Sequence, residues 1–369
     1  MKILFLTRYG SLGASSRVRA LQYVPYLSHH GVEVTVRPLL DNRYVRHLYT
    51  NRKKHWRSVA TGYPSRLLTL FKSRSHDLIW IEQEVFPMWP PVAEKILEQV
   101  GVPYVVDCDD AVFHHYDRHS SWLIRASLGQ KMDVVMRGSA LVIAGNEYIA
   151  ERARLAGARA VELLPSVVDL DRYPKVPASR PGNGPFTIGW IGSPSTRHFL
   201  ALLEEPLARM SNNGEIVLRA IGAGDAPVGG LRLELPAWSQ ETEVELLATC
   251  DVGVMPLLDG PFERGKCGYK LIQYMGCHLP VVASPVGVNR YIVEEGINGF
   301  LAGNADEWVR ALSALRESRS LCRQMGREGR RKVEACYDLQ VTAPRLHGLL
   351  QRVIDSGVAR ARLPVDVSS

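Results

Sequence analysis

Short apolar runs alternate with segments of helical periodicity along the chain, and this alternation constrains the fold more than any other feature. The runs are five to eight residues long and rich in Val, Ile and Leu. Such strands are typical of parallel sheets that helices cover on both faces. In the first half they are KILFLT (2–7), VEVTVRP (32–38), DLIWIE (77–82), PYVVDC (103–108) and ALVIAG (140–145), and in the second half FTIGWIG (186–192), EIVLRAIG (215–222), LRLELP (231–236), VGVMP (252–256) and LPVVAS (279–284). The sequence therefore predicts an α/β fold with two similar parallel sheets in series.

The chain length and one Pro- and Gly-rich segment indicate two domains. The 369 residues are long enough for two ordinary domains. Residues 173–185 contain four Pro and two Gly, a composition typical of a linker. We predict an N-terminal Rossmann-like domain over residues 1–168 and a C-terminal Rossmann-like domain over residues 169–340. A helix over residues 341–357 that returns to the first domain and a tail over residues 358–369 complete the prediction.

Positive charge is concentrated in the first half of the chain. The formal net charge is +7, and residues 1–165 carry 22 Lys and Arg against 15 Asp and Glu. Between residues 37 and 74 there are ten basic side chains and one acid, Asp41. The six cysteines show no disulfide or metal-binding spacing, and the five residues between Lys2 and Arg8 are too few for the apolar part of a signal peptide. We therefore expect a cytoplasmic protein with reduced thiols.

The strongest chemical signal lies between residues 251 and 289, where a strand, a glycine-containing loop and a helix start follow one another. Three cations, Arg264, Lys266 and Lys270, surround Gly265 and Gly268 there. Glycine lets a ligand approach the backbone, and the free N–H groups of a helix N-terminus attract phosphate. The pattern predicts an anion site, and the alternative is a solvated basic loop.

This segment resembles the donor-binding element of glycosyltransferase family 4. In that family a Glu-x7-Glu motif ends before a pair such as Tyr-Met and a strand such as LPVVAS. Here Gln273 stands at the position of the second Glu, which binds the ribose hydroxyls, and Gly265 at that of the first. Other segments match in order, namely YGSLGASSRVRALQYVPYL (9–27), VIAGNEYIAERA (142–153), LLPSVVDLDRY (163–173), IGWIGSPST (188–196), WSQETEVELLATCDVGVMP (238–256) and EGINGFLA (295–302).

The resemblance implies the GT-B fold, in which two Rossmann-like domains with parallel sheets face a central cleft. The first domain would bind the acceptor and the second a UDP- or GDP-linked sugar. The resemblance also implies a hexosyltransferase that retains the anomeric configuration, needs no metal or cofactor, and extends a glycan or lipid-linked acceptor in bacterial surface polysaccharide biosynthesis. The donor-binding residues that it implies are Gly13, Ser15, Arg17, Gly192, Ser193, Arg264, Lys266, Gly268, Lys270 and Gln273.

Acidic side chains follow two predicted strands of the first half. Asp109 and Asp110 come directly after a strand, where α/β folds build their sites, and are our candidates for orienting the reacting sugar or the acceptor hydroxyl. Glu82 and Glu84 lie two residues apart at the end of the preceding strand, so we expect both to line the acceptor site, and the alternative is that they are solvent-exposed acids of a loop. An Asp-x-Asp sequence, which begins here at Asp107, also binds Mn²⁺ or Mg²⁺ in single-domain GT-A glycosyltransferases. That alternative leaves the second sheet unexplained.

The basic segment from Arg43 to Arg74 interleaves cations with aromatic and leucine side chains. It fits an anionic membrane, where each cation contributes about 1 kcal/mol, and it would also fit a nucleic acid. A helix that begins at Pro64 and packs on the sheet through Leu67, Leu68 and Phe71 is the plainer alternative. We favour a peripheral position on the inner face of the membrane and no nucleic-acid partner. The candidates that face the acceptor or the membrane are Glu82, Glu84, Arg52, Lys53, Lys54, Trp56 and Arg57.

Two other functions stay open. A sugar-nucleotide epimerase would share the fold, and a non-catalytic nucleotide- or nucleic-acid-binding protein would show salt-dependent binding without turnover. A dinucleotide oxidoreductase is disfavoured, because YGSLGASS (9–16) lacks the G-x-G-x-x-G spacing after the first strand.

Overall fold

The computed structural model describes residues 1–51, 55–177, 184–210, 216–224 and 232–362. The chain divides into two compact units: the first comprises Met1–Ser166 and the segment from Thr342 onward, and the second Val167–Val341. Each unit contains a six-stranded sheet whose neighbouring strands pair in parallel. The predicted pair of parallel α/β sheets is therefore confirmed.

The first unit is built on six strands and nine complete helices among its described residues. The strands are β1 (Lys2–Tyr9), β2 (Glu33–Leu40), β3 (Leu78–Glu82), β4 (Tyr104–Cys108), β5 (Leu141–Ala144) and β6 (Val161–Leu163). The helices are α1 (Ala14–Arg19), α2 (Val24–His29), α3 (Asn42–Asn51), α4 (Trp56–Phe71), α5 (Val92–Val100), α6 (His114–Asp117), α7 (Trp122–Leu128), α8 (Lys131–Gly138) and α9 (Glu147–Leu155), with 3₁₀ turns at Leu21–Tyr23 and Ser73–Ser75. The sheet order is β2-β1-β3-β4-β5-β6.

The second unit repeats this design. Its strands are β7 (Phe186–Ile191), β8 (Ile216–Ile221), β9 (Arg232–Glu234), β10 (Val252–Met255), β11 (Val281–Ala283) and β12 (Gly299–Leu301), in the order β12-β11-β10-β7-β8-β9. Its helices are α10 (Glu204–Met210), α11 (Glu243–Ala248), α12 (Pro261–Arg264), α13 (Tyr269–Gly276), α14 (Asn289–Ile292), α15 (Ala305–Glu317) and α16 (Arg319–Cys336), with 3₁₀ turns at Leu170–Arg172 and Arg197–Leu203. The last helix, α17 (Leu339–Arg362), begins in the second unit and continues into the first. None of the described helices combines the length and hydropathy that crossing a bilayer requires.

Both faces of each sheet are covered by apolar side chains. In β7, Ile188 and Trp190 belong to one core and Ile191 to the other, because successive side chains of a strand point to opposite faces. In the first unit, Phe5 and Trp80 of neighbouring strands stack with ring centroids 3.8 Å apart. The inner strands are therefore mainly apolar, and the buried acids Glu82 and Asp107 lie at or near the ends of β3 and β4.

The structure contains all ten predicted strands. Strands β6 and β12 are not among the predictions, because each has three residues and includes a glutamate or a glycine in place of a continuous run of Val, Ile and Leu. Tyr173, the first residue of the predicted linker, is buried in the core of the second unit, so that unit begins before the linker segment. Residues 178–183 of that segment and residues 363–369 of the predicted tail lie outside the described residues.

Helix α4 differs from its prediction. It begins at Trp56, and Pro64 lies inside it rather than at its start. The two leucines and the phenylalanine that were expected to pack on the sheet are exposed instead, whereas Arg66 is buried. The alternative in which α4 packs through its apolar side is therefore wrong.

A pair of glycine substitutions tests how closely α4 lies on the sheet. A Cβ at Gly62 would lie 2.1 Å from the backbone oxygen of Leu39, whereas a Cβ at Gly348 in α17 meets nothing closer than a side-chain nitrogen of Arg352 at 3.6 Å. We expect Gly62→Ala to destabilise the first unit by about 1–3 kcal/mol through overpacking. Gly348→Ala should stabilise it by up to about 1 kcal/mol through helix propensity. Thermal unfolding of both variants checks the signs, and stabilisation by Gly62→Ala would contradict the close packing of α4.

Candidate functional site

The carboxyl end of β3 places a buried carboxylate next to the first loop of the chain. Glu82 accepts hydrogen bonds from the backbone nitrogen of Arg8 at 2.8 Å and from the hydroxyls of Ser15 and Ser16 at 2.8 and 2.5 Å. Burial, reinforced by the nearby charge of Asp109, raises the pKa of Glu82. A predicted acceptor-site residue and a predicted donor-site residue, Glu82 and Ser15, are thus brought together.

The loop around the start of α1 is shaped by its glycine. Gly13 precedes α1, and a Cβ there would lie 2.3 Å from the Cβ of Tyr9, so only glycine allows this close return of the chain. Arg17 is buried in α1, and its backbone nitrogen bonds the carbonyl of Gly13 at 2.9 Å. These predicted residues therefore lie beside the end of β1.

Gln83 was not predicted, yet it connects two charged groups of this region. Its Oε1 accepts a hydrogen bond from the Nη1 of Arg8 at 3.1 Å, and its Nε2 donates to Oδ1 of Asp109 at 2.9 Å. The backbone of Gln83 has φ of 64°, a conformation that is uncommon for residues other than glycine and that often occurs at functional sites. No sequence pattern signals this conformation, so sequence reasoning missed it.

The other acids of this edge have different surroundings. Asp107 forms a buried ion pair with Arg19 at 2.7 Å, and burial, partly offset by Arg19, raises the pKa of Asp107 to about 6. Asp110 lies half-buried after β4. One oxygen of the first Asp of the Asp-x-Asp sequence, Oδ1 of Asp107, is thus held by Arg19. Among the described residues, no group of three or more His, Cys, Asp or Glu side chains is arranged to hold a metal ion.

Glu84 does not share the surroundings of Glu82. The strand ends at Glu82, and the unusual conformation of Gln83 turns the chain before Glu84. The buried Glu84 carboxylate pairs with Lys131 and accepts the hydroxyl of Tyr116 at 2.7 Å. Its contacts are those of a structural ion pair.

The basic candidates lie on or before α4. Trp56 and Arg57 are exposed in its first turn. Arg52, Lys53 and Lys54 lie outside the described residues.

In the second unit, the carboxyl end of β7 is followed by a tight turn. The backbone nitrogen of Ser193 bonds the hydroxyl of Thr196 at 3.2 Å, and the hydroxyls of Ser193 and Ser195 lie 2.7 Å apart. A Cβ at Gly192 would lie 2.3 Å from the ring of Trp190. The turn therefore presents serine hydroxyls and a glycine backbone at the sheet edge.

The start of α13 carries the predicted cations. Gly268 is its N-cap, with φ of 66°. Lys270 in the first turn lies over the ring of Trp190, with Nζ 4.3 Å from the centroid, and Lys266 lies over Phe262 at 4.8 Å. Burial and the neighbouring charge of Lys266 lower the pKa of Lys270 to about 7. The third predicted cation, Arg264, forms an exposed ion pair with Asp259, with Nε 2.7 Å from Oδ1.

Gln273 is buried on α13 and reaches a carboxylate that was not predicted. Its Nε2 lies 3.4 Å from Oε2 of Glu243, the first residue of α11. Glu243 also accepts the indole N–H of Trp238 at 2.8 Å and lies 3.4 Å from Arg172. The segment that contains Glu243 matches the family pattern, but no spacing indicates its contact with Gln273, which lies thirty residues further along the chain.

Residues 185–318 match the family model described as "Glycosyl transferases group 1". The match covers less than half of the chain and lies within the second unit. None of the curated proteins that were compared matches the chain.

Solved structures match nearly the whole chain. HepE from Anabaena in complex with UDP and glucose has a TM-score of 0.69 and 19% identity, over 95% of this chain and 99% of that one. Sucrose-phosphate synthase from Thermosynechococcus elongatus has a TM-score of 0.72 and 15% identity, over 96% and 100%. A glycosyltransferase from Rickettsia africae has a TM-score of 0.67 and 11% identity, over 96% and 98%. At these identities the likeness establishes the fold, which is the GT-B fold of glycosyltransferases.

The unusual environment of Lys270 can be measured directly. An ordinary lysine titrates at about pH 10.4. We expect Lys270 to titrate at about pH 7, because burial disfavours its charged form. Lys266→Met should raise the pKa of Lys270 by removing a like charge. NMR titration of ¹³C-methylated lysines checks both, and Lys270→Arg identifies the resonance by its loss. A Lys270 that titrates with the other lysines would contradict the described burial.

Proposed function

We propose that the chain is a retaining hexosyltransferase. It moves a sugar from a nucleotide-diphosphate donor to a hydroxyl of a glycan or lipid-linked acceptor in bacterial surface polysaccharide biosynthesis. It works in the cytoplasm at the inner face of the membrane. The observation that carries the proposal is the start of α13, where Lys266 and Lys270 accompany a glycine-capped helix N-terminus. A diphosphate is the kind of anion that a glycine-capped helix start with two neighbouring cations binds.

Several features support the donor assignment. The matched residues 185–318 include the β7 turn and α13. HepE is described in complex with UDP and with UDP-glucose, so UDP is the first donor nucleotide to test, with GDP as the alternative. We propose that Gly192, Ser193, Gly268 and the two lysines contact the diphosphate. Gly13, Ser15 and Arg17 are further candidates for donor contacts.

The proposed reaction is a front-side substitution at the anomeric carbon. The acceptor oxygen forms a bond to the anomeric carbon while the bond between that carbon and the donor's phosphate oxygen breaks. The acceptor proton passes to the departing phosphate oxygen. Lys266 and Lys270 would stabilise the charge that develops on the leaving diphosphate. Asp109 and Asp110 would orient the reacting sugar or the acceptor hydroxyl, with Gln83 and Arg8 fixing the carboxylate of Asp109.

Donor binding should depend on pH through Lys270. Without a ligand the pKa of Lys270 is about 7, and a bound diphosphate raises it, so binding above pH 7 takes up a proton. Affinity for UDP should therefore fall as pH rises, by up to about tenfold for each pH unit above 7. Titration calorimetry between about pH 7 and pH 9 measures this fall.

Two variants separate charge from protonation. Lys270→Arg keeps a charge that does not titrate, so its UDP affinity should be independent of pH over the same range. Lys270→Met and Lys266→Met should each weaken UDP binding by about tenfold or more, because each removes a charge-assisted contact. Unchanged affinity in both methionine variants would exclude the diphosphate assignment.

We also predict that transfer proceeds without a divalent metal, since lysine side chains neutralise the leaving group. Asp109→Asn should slow transfer by about 100-fold, because misplacing a reacting group costs that much, while UDP binding stays nearly unchanged. The assay follows consumption of UDP-glucose with and without an acceptor mixture, in the presence of EDTA. Complete loss of activity in EDTA that Mn²⁺ restores would favour a metal-dependent mechanism, and turnover of the donor to an isomer without acceptor would favour an epimerase.

A further inference from the structure

The side of α4 that faces the first sheet carries small or polar residues. Ser58, Gly62 and Arg66 lie four residues apart and therefore on one side of the helix. The hydroxyl of Ser58 donates to Oδ1 of Asp41 at 2.8 Å, and Gly62 allows the helix to lie against the backbone of Leu39. This side of α4 is fixed to the first sheet by hydrogen bonds and close backbone contact.

Arg66 secures this orientation. Its Nη2 donates to the carbonyl oxygens of Thr7 in β1 and Arg37 in β2, at 2.5 and 3.0 Å. Burial lowers the pKa of Arg66 to about 10, so the side chain is still charged at neutral pH. A charged group that is hydrogen-bonded inside the unit cannot turn outward without losing these partners, so α4 is held in the observed orientation.

The outward face of α4 is apolar. Trp56, Leu67, Leu68 and Phe71 are 70%, 51%, 65% and 76% exposed, and they project from the side of the helix opposite Gly62. A helix of a globular protein ordinarily turns its apolar side to the core and its polar side to solvent. Helix α4 has the opposite orientation. A contiguous apolar surface of this kind marks a contact with another body.

A neighbouring loop extends this surface. Met88 and Trp89 are exposed, and the ring of Trp89 lies 5.8 Å from that of Tyr63 on α4. The hydroxyl of Tyr63 donates to the carbonyl of Pro87 at 2.8 Å, which holds the loop to the helix. The apolar surface therefore includes the loop that follows β3 as well as α4.

The segment that carries the apolar surface is basic and contains no acid. Residues 42–76 contain no Asp or Glu. Arg43, Arg46, Arg57, Lys72 and Arg74 are exposed along this stretch. An apolar face accompanied by exposed basic side chains complements an anionic lipid surface, in which the apolar groups enter the acyl boundary and the cations meet the headgroups.

The same charges argue against other partners. In a symmetric dimer through this face, each copy would meet an identical basic surface and the like charges would repel. A nucleic acid would account for the cations, but it offers no apolar environment to Leu67 and Leu68.

We propose that α4 lies in the interface of an anionic membrane, with Trp56, Leu67, Leu68 and Phe71 inserted below the headgroups. The inference rests on the proposed function in that a lipid-linked acceptor would be found at this surface.

The test is co-sedimentation of the full chain with vesicles of phosphatidylglycerol mixed with phosphatidylcholine, and with vesicles of phosphatidylcholine alone. Binding should require the anionic lipid and weaken with added salt. The double variant Leu68→Ser with Phe71→Ser should lose about tenfold or more in partitioning, because two apolar side chains no longer enter the membrane. Arg57→Ser and Lys72→Ser should each lose about fivefold. The matched control is Leu155→Ser on α9, an equally exposed leucine outside the surface, which should bind like the unaltered chain.

UDP binding and thermal unfolding of each variant are measured in parallel. Variants that bind UDP but not vesicles support the inference, and a chain that binds vesicles but not UDP supports it while contradicting the proposed donor. Equal binding to both vesicle types, or undiminished binding by the double serine variant, overturns the inference. A dimer or a nucleic-acid complex that forms in the absence of vesicles and is lost in the double variant overturns it in favour of that partner.

Discussion

The inner strands of both sheets are buried on both faces and mainly apolar, so buried acids are found chiefly where such strands end. In the first unit this constraint brings several acids together at the ends of β3 and β4, where burial makes an uncompensated charge costly. Arg19 of α1 neutralises Asp107, and Lys131 of α8 neutralises Glu84. These ion pairs join helices to the sheet edge. Glu82 is held differently, by hydroxyl and backbone N–H groups, and keeps a raised pKa.

The second unit presents the opposite electrostatic situation at its sheet edge. Lys270 is half-buried with its ammonium group over the face of Trp190, and the neighbouring cation Lys266 lowers its pKa further. A cation–π contact stabilises an ammonium group by only about 0.5–2 kcal/mol, so it offsets burial in part and the pKa still falls. An arriving anion would reverse that shift. The two edges thus differ in the sign of their charge, since acids gather at one and lysines at the other.

The sequence predicts the strands well because burial on both faces leaves a continuous apolar run that can be recognised locally. It fails where orientation depends on tertiary contacts. The apolar residues of α4 suggest a face that packs inward, but the hydrogen bonds of Arg66 to two strands turn that face outward. The loop glycines and lysines of α13 could be found because they are close in sequence. Gln83 and Glu243 could not, since a positive φ and a contact across thirty residues leave no local pattern.

The contact between Gln273 and Glu243 gives a physical reason for the departure from the family motif. The family pattern has a carboxylate at the position of Gln273, but here the side chain lies 3.4 Å from the buried carboxylate of Glu243. Two buried carboxylates at that distance cannot both ionise readily, whereas an amide donates a hydrogen bond to the one that is present. The amide of Gln273 is therefore compatible with the buried carboxylate of Glu243, which a second carboxylate at this position would not be.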